Sequence, residues 1–209
     1  RIYVMNIDHA NTHSSFKDAV RMSNLCQEIT LPTVPIKGID DEEGEIALCI
    51  LSAVNVGTLK DIDELESICD LSVRALDQII DYQGYPVKAA EISTKARRSL
   101  GIGYIGLAHY LAKNKVKGAS VQNRFALLLK VSMKLAEERG KCDYYDRTKY
   151  SDGILPIDTY KKEVDSIVKV DYQYDWEWLR TEIKKHGLRH STLSAQMPSE
   201  SSSVVSNAT

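Results

Sequence analysis

EIALCILSAVNV, residues 45–56, is the stretch that decides the fold class. Its apolar residues occupy both faces of an extended chain, with Ile46, Leu48 and Ile50 on one face and Ala47, Leu51 and Ala53 on the other. A strand that is apolar on both faces is typical of a mainly parallel sheet that is covered on each side. The stretch therefore predicts a buried strand in an α/β protein.

The sequence that follows this strand is mainly helical in pattern. After Asp61 and Glu64, which are spaced as a capping pair, apolar residues repeat at helical intervals until Tyr82-Gln83-Gly84 ends the helix. Further helices are predicted at roughly 88–114, 120–139, 157–168 and 175–186.

Two segments near the ends of the sequence are predicted to be extended. Residues 1–36 have the pattern of a short strand, a loop and an extended segment. Residues 188–198, LRHSTLSAQMP, alternate between apolar and polar positions as a strand that ends at Pro198. The order of strand, helices and strand, with no internal repeat, favours an α/β fold with crossover helices.

Composition and charge exclude several classes of protein. The sequence has 209 residues, of which 43% are hydrophobic, and a formal net charge of -2. These values suit a buried core and give no basic face for nucleic acid. No apolar run approaches the ~20 residues that span a bilayer, and no signal peptide opens the sequence. We therefore expect no nucleic acid and no membrane among the partners.

Four cysteines are spread along the sequence: Cys26, Cys49, Cys69 and Cys142. They form no CxxC pair and no zinc spacing, so the sequence predicts free thiols in a reducing cytoplasm and no metal site. Cys69 and Cys142 are interpreted as structural. The sequence starts at Arg1 without a methionine and stops just after a serine-rich run, which we interpret as a piece of a longer polypeptide or one product of a split gene.

Residues 23–29, SNLCQEI, carry the most informative set of reactive groups. In an extended chain, Asn24, Cys26 and Glu28 would share one face. An amide, a thiol and a carboxylate on one face could bind a substrate, abstract from it and accept its proton. The alternative is a half-buried edge strand with a structural cysteine, because free cysteine is commonly a small buried hydrophobe. The residues alone leave both interpretations open.

Two further segments combine reactive groups with a predicted strand. Cys49 lies inside the apolar strand, either as a core residue or as a redox thiol that exchanges electrons with another thiol. A run of small polar residues follows the strand at 188–198, and its backbone N–H groups could hold a phosphate at a helix start. A flexible polar tail is the alternative for this run, which comprises Ser199, Glu200, Ser201 and Ser202.

Residues 101–106, GIGYIG, match the GxGxxG pattern of dinucleotide sites. The residues before them, 95–100, do not look like a strand, and no acidic residue appears until Glu137, beyond the ~20-residue offset of that pattern. We therefore expect these glycines to let two helices approach closely. A nicotinamide-dependent oxidoreductase is the weaker alternative.

Several motifs, taken in order, resemble the large subunit of ribonucleotide reductases. SNLCQEI (23–29) is similar to the finger-loop motif of that family, and EIALCILSAVN (45–55) to its strand that carries a redox cysteine. Three more stretches are similar in the same order and at compatible spacing: ARRSLGIG (96–103), GILPIDTYKK (153–162) and HGLRHSTLSAQMPSESSS (186–203). The resemblance covers essentially the whole sequence and leans toward the aerobic class I enzymes.

The resemblance implies an α/β fold that is part of a ten-stranded α/β barrel, with a central finger loop and several crossover helices. Residues 1–209 would form a C-terminal portion of this catalytic barrel, incomplete at both ends. The implied reaction is the reduction of ribonucleoside diphosphates to 2′-deoxyribonucleoside diphosphates by a thiyl-radical mechanism.

Carried over by position, the resemblance implies a role for each site residue. Cys26 matches the cysteine that becomes a thiyl radical and takes the 3′-hydrogen of the ribose. Glu28 matches the general base on the 3′-hydroxyl, and Asn24 the amide that hydrogen-bonds the ribose. Cys49 matches one of two thiols that supply reducing equivalents and end as a disulfide. The loop that holds the diphosphate matches Ser199, Glu200, Ser201 and Ser202.

The resemblance also implies the partners. This chain would bind no cofactor, a tyrosyl radical and di-iron centre would lie on a separate small subunit, and thioredoxin or glutaredoxin would act as reductant. The remaining segments of the large subunit would carry the other redox cysteine and the effector-binding region, so the isolated chain is expected to be inactive. An adenosylcobalamin-dependent reductase core and a non-catalytic interaction module of the same fold are the alternatives.

Overall fold

The computed structural model describes residues 2–116, 126–168 and 172–208. In this part of the chain, strand β1 (Ile50–Asn55) pairs in parallel with strand β2 (Leu100–Ile105), and Ile50 lies opposite Leu100. Parallel strands require a crossover connection, and two helices between β1 and β2 supply it. The predicted α/β class is confirmed, although β1 is shorter than the predicted strand.

Helices account for much of the remaining described chain. Their bounds are α1 Ile7–His13, α2 Glu64–Tyr82, α3 Lys88–Arg97, α4 Leu107–Asn114, α5 Ala126–Arg139, α6 Pro156–Thr159, α7 Trp176–His186 and α8 Glu200–Val205. Short 3₁₀ turns lie at Val56–Thr58, Tyr145–Arg147, Lys149–Asp152 and Lys162–Ser166. Within the described ranges, no helix is both long and apolar enough to cross a membrane.

Hydrogen bonds of acidic side chains lie at the starts of α2, whose N-cap residue is Asp63, and of α7. The Asp61 backbone N–H donates to Glu64 Oε1 at 3.3 Å, as the proposed capping pair requires. The Asp175 carboxylate accepts from the Trp178 backbone N–H at 2.9 Å. Both predicted helices are confirmed. The third predicted helix agrees with α5, and its first predicted residues, 120–125, lie outside the described residues.

The single helix predicted over 88–114 is wrong, because a strand interrupts it. Helix α3 ends at Arg98, whose φ of 48° lies in the left-handed region, and β2 follows at once. A Cβ atom on Gly103 would lie 2.6 Å from the Ala195 carbonyl oxygen. The glycines therefore let a strand lie close to its neighbours, whereas the sequence predicted contact between two helices.

Neither of the two segments predicted to be extended near the ends is assigned as a regular strand, but the second one is hydrogen-bonded to β2. Residues 1–36 contain α1 in place of the predicted strand, and Phe16 makes only an isolated bridge to Thr148. Residues 188–198 are not assigned as a strand either. The β2 backbone nevertheless donates hydrogen bonds to them, from Leu100 to Thr192 O (3.0 Å) and from Ile102 to Leu193 O (2.9 Å). The segment predicted at 157–168 forms α6 and a separate 3₁₀ turn.

The main core lies between the strand pair and helices α2, α5 and α7. Its fully buried members include Leu65, Ile80, Leu100, Leu128, Leu135 and Ile183. Full burial of one such side chain contributes roughly 1.5–3 kcal/mol relative to exposure. This core fixes the ends of β1 and β2, next to which the candidate site lies.

A buried ionic network ties α2 to the segment that runs along β2. Asp77 accepts hydrogen bonds from Arg98 Nε (2.7 Å) and His190 Nε2 (3.1 Å), and Ser132 Oγ lies 2.9 Å from His190 Nδ1. Burial alone would raise the pKa of Asp77, but the hydrogen bonds from His190 and Arg98 outweigh it and hold that pKa below its usual range. Burial lowers the pKa of His190, which keeps the imidazole neutral.

Ser132, His190 and Asp77 are connected in the order of a Ser-His-Asp catalytic triad. All three side chains are 0% exposed. A nucleophile must reach its substrate, so this arrangement is structural. It holds residues 189–191 in place and thereby the segment that follows them.

Candidate functional site

A cavity of about 230 Å³ opens beside the start of β1 and β2. Its walls come from residues within 13–16, 28–31, 149–159 and 192–195, together with Cys49 and Leu100. Glu28 and Cys49, which the sequence identified as candidate acid–base and redox groups, therefore lie in one cavity although different parts of the chain supply them.

The loop that carries Cys26 is closed by Asn24. The Asn24 backbone N–H donates to Ile29 O at 3.2 Å, and Asn24 Oδ1 accepts from the Ile29 N–H at 3.1 Å. The Gln27 N–H donates to Asn24 O at 3.2 Å, with a φ of 65° at Gln27. The segment is thus a tight turn and not an extended chain, which corrects the expectation that Asn24, Cys26 and Glu28 share one face.

The turn separates Cys26 from Glu28. Cys26 and Asn24 are exposed and do not line the cavity, whereas Glu28 is half-buried and lines it. Oε2 of Glu28 is buried without a hydrogen-bond partner in the described chain. Buried polar atoms are nearly always hydrogen-bonded, because burial without a partner costs free energy. Glu28 is therefore able to accept a hydrogen bond or a proton from a molecule in the cavity.

Cys49 lies one residue before β1 and is half-buried. Burial raises the pKa of the Cys49 thiol to about 12, and the charge of Glu28 adds to the rise. The thiol is thus protonated at neutral pH, which suits a donor of hydrogen better than a nucleophile. A Cβ atom on Gly101 would lie 2.8 Å from Cys49 Sγ, so the first glycine of GIGYIG makes room for this thiol.

The serine run starts helix α8, apart from the cavity. Ser199 is the N-cap residue, and Glu200, Ser201 and Ser202 form the first turn. Ser202 Oγ donates to Ser199 O at 2.9 Å. The predicted helix start is confirmed. The four residues do not line the cavity in the described chain, so their role in holding phosphate stays a prediction that rests on the resemblance.

Cys69 and Cys142 agree with their structural interpretation. Both are buried, and burial raises the pKa of each thiol to about 12. Neither lines the cavity. In the ranges that the structure describes, His, Cys, Asp and Glu side chains form no group of three or more that could hold a metal ion.

Sequence reasoning missed most of the polar residues of the cavity. Ser14 and Lys149 line it, but both come from segments without a recognisable motif. Nothing in a single sequence indicates that these segments meet. Ser194, which also lines the cavity, was visible in part, because it lies on the polar face of the alternating segment 188–198.

Thiol labelling is expected to distinguish Cys26 from Cys49. In the 209-residue chain at pH 8, iodoacetamide should modify Cys26 at least about 10²-fold faster, because Cys26 is exposed, whereas Cys49 is half-buried and its raised pKa keeps the thiol protonated. Timed alkylation followed by peptide mass spectrometry measures both rates. Unfolding in guanidinium should make the two rates similar, and similar rates in the native chain would contradict this geometry.

Comparison with known proteins agrees with these features. The profile of the ribonucleotide reductase barrel domain matches residues 1–209. Over its whole length the chain is 55% identical to ribonucleoside-diphosphate reductase subunit alpha of Haemophilus influenzae and 53% identical to ribonucleoside-diphosphate reductase 1 subunit alpha of Escherichia coli. It is 44% identical to ribonucleoside-diphosphate reductase subunit alpha of Enterobacteria phage T4.

The chain spans 29% of the length of each of these relatives. The profile match nevertheless covers every residue of the chain. The parallel strand pair and its crossover helices are consistent with part of an α/β barrel. The chain therefore belongs to the family of the ribonucleotide reductase barrel domain.

Proposed function

We propose that residues 1–209 form a C-terminal portion of the catalytic barrel of a ribonucleoside-diphosphate reductase large subunit. This subunit would reduce ribonucleoside diphosphates to 2′-deoxyribonucleoside diphosphates. The observation that carries the proposal is the cavity shared by Glu28 and Cys49, at the base of the turn that holds Cys26. Glu28 and Cys49 bring an acid–base group and a thiol into one cavity, and the turn that includes Glu28 also carries Cys26.

The protons, hydrogen atoms and electrons of the proposed reaction are supplied by this chain and one further thiol. The Cys26 thiyl radical takes the hydrogen atom from C3′ and becomes a thiol. Glu28 accepts the proton of the 3′-hydroxyl, while the 2′-hydroxyl takes up a proton and leaves as water. Cys49 and the second thiol supply the proton that leaves with the 2′-hydroxyl as water, and the proton and two electrons that form the new C2′–H bond, and they end as a disulfide. Glu28 returns its proton to the 3′-oxygen, and Cys26 returns its hydrogen atom to C3′ and is again a radical.

The turn and helix α8 would position the substrate. Asn24 would hydrogen-bond the ribose from the turn that it closes. The backbone N–H groups and hydroxyls of Ser199, Glu200, Ser201 and Ser202 would hold the diphosphate. The half-buried setting of Cys49 supports its role, because a protonated thiol that is partly shielded from water retains its hydrogen for the substrate.

Other polypeptides would complete the enzyme. The remaining segments of the large subunit would close the barrel and supply the second thiol. A separate small subunit with a tyrosyl radical and di-iron centre would generate the radical, and thioredoxin or glutaredoxin would re-reduce Cys49. The relatives are named alpha subunits, which supports a multisubunit enzyme over the adenosylcobalamin alternative. The four free cysteines favour a cytoplasmic location.

The test of this function is the conversion of CDP to dCDP by the chain reconstituted with the remaining large-subunit segments, the small subunit and thioredoxin. Glu28→Gln is expected to lower kcat by about 10²–10⁴-fold, because the amide cannot accept the proton of the 3′-hydroxyl. Steady-state kinetics with CDP measures the change. Near wild-type kcat would remove Glu28 from the proposed mechanism.

Glu43→Gln is the matched control for this substitution. Glu43 is an exposed carboxylate that pairs with Lys37 Nζ at 2.8 Å and does not line the cavity. Its neutralisation should leave kcat unchanged. If wild-type mixtures that are well folded convert no CDP at all, the chain is better explained as a non-catalytic interaction module.

A further inference from the structure

One serine that lines the cavity has a buried hydroxyl without a partner. Ser14 Oγ is buried and makes no hydrogen bond in the described chain, and Ser14 lines the cavity together with Glu28 and Cys49. A buried hydroxyl without a partner is unfavourable, and native proteins keep few such groups. The hydroxyl therefore has an unused capacity to bind a molecule in the cavity.

The neighbouring polar groups on this wall are already engaged. Their hydrogen bonds are Ser15 Oγ to Ser191 O (2.8 Å), Lys149 Nζ to Asn11 O and Thr12 O (2.8 and 3.0 Å), and His13 Nδ1 to Thr159 O. Each of these bonds joins two segments of the chain and so supports the fold. Ser14 differs from them, because its hydroxyl joins nothing in the described chain.

Two buried oxygens of residues that line the cavity are thus uncommitted, Glu28 Oε2 and Ser14 Oγ. An ionised carboxylate only accepts hydrogen bonds, whereas a serine hydroxyl both donates and accepts. The hydroxyl groups of a sugar can satisfy both oxygens, because one hydroxyl can donate to the carboxylate while another bonds the serine. The cavity of about 230 Å³ is smaller than a typical ligand pocket of ~300–1,000 Å³, which suits one sugar ring better than a whole nucleotide.

We propose that Ser14 is a further substrate-binding residue whose hydroxyl bonds a ribose hydroxyl of the ribonucleoside diphosphate beside Glu28. The inference rests on the proposed function, because it adds a residue to the same site. Its removal should therefore weaken substrate binding without weakening the fold.

Ser14→Ala in the complete large subunit tests this inference. The Kd for CDP is expected to rise about 10-fold, as for the loss of one hydrogen bond, and kcat/KM for CDP to fall to a similar extent. The thermal midpoint of unfolding should stay unchanged or rise, since the variant removes a buried hydroxyl that has no partner. A structural serine would give the opposite result, a lower midpoint, and that outcome overturns the inference.

Thr94→Val is the matched control. Thr94 Oγ1 is likewise buried without a partner in the described chain, but it lies in α3 and does not line the cavity. This variant should keep the wild-type Kd for CDP. A wild-type Kd in Ser14→Ala, in a subunit that reduces CDP normally, overturns the role of Ser14 and leaves the proposed function standing. A wild-type subunit that neither binds nor reduces CDP overturns the proposed function itself.

Discussion

Cys26→Ser is expected to stop CDP reduction in the reconstituted large subunit, with a loss in kcat of at least about 10³-fold. The proposed reaction begins and ends with a hydrogen atom that moves between C3′ and the Cys26 sulfur. A serine O–H bond is stronger than a cysteine S–H bond, so serine does not readily form the required radical. Cys26 is exposed in this chain, and the substitution should change stability by no more than about 0.5 kcal/mol.

Substrate binding separates a loss of chemistry from a loss of structure in this variant. Cys26→Ser should keep the wild-type Kd for CDP, because Asn24 and Ile29 close the turn without the Cys26 side chain. Cys142→Ala is the matched control, since it removes a buried thiol that does not line the cavity, and its kcat should stay close to wild type. CDP reduction that survives Cys26→Ser would place the radical on another residue.

The sequence pattern predicted β1 and missed β2, and the difference is physical. β1 is apolar on both faces and has no competing helical period, so its local pattern determines its structure. In β2, glycines alternate with apolar residues, which gives a weak strand propensity. The strand forms because Gly101 and Gly103 lie against other parts of the chain, such as Leu51 and Ala195. Contacts of this kind cannot be predicted from a short stretch.

Of the candidate site, too, the sequence predicted some residues and missed others. The motif SNLCQEI identified Cys26 and Glu28 as candidates, but the alternation argument assumed an extended chain. The positive φ of Gln27 makes the segment a turn and leaves only Glu28 in the cavity. Ser14 lies in a segment without a recognisable sequence motif. Its place in the cavity that Glu28 also lines depends on the packing of residues 13–16 against distant segments, which only the folded structure reveals.

The second large effect is expected from a substitution of Asp77, which should lower the stability of the fold. Its side chain is 0% exposed, and four side chains from other elements surround it: Arg98 (2.7 Å), His190 (3.1 Å), Arg139 (3.3 Å) and Arg189 (3.3 Å). Arg98 is itself almost fully buried. Loss of the Asp77 carboxylate would therefore leave the buried Arg98 cation with much less negative charge to neutralise it.

Asp77→Asn is expected to lower the free energy of local unfolding by about 3–5 kcal/mol at pH 7, the usual result of removing one partner of a buried ion pair. Hydrogen exchange in the complete subunit measures the change at the Ser191 amide, which donates to Arg97 O at 3.0 Å. The pKa of Asp77 is held below its unfolded value, so its contribution is present above pH ~4 and is lost as the pH falls through the folded-state pKa.

Asp81→Asn provides the control that separates burial from charge. Asp81 also binds Arg98, at 2.8 Å, but its side chain is 48% exposed. Water screens an exposed pair, so this substitution should cost no more than about 1 kcal/mol. Both variants remove one negative charge beside the same arginine, but the Asp77 carboxylate is buried and also contacts His190, Arg139 and Arg189, whereas the Asp81 carboxylate is half exposed. Equal losses at the Ser191 amide would therefore show that total charge, and not the buried network around Asp77, stabilises the segment that leads into the cavity.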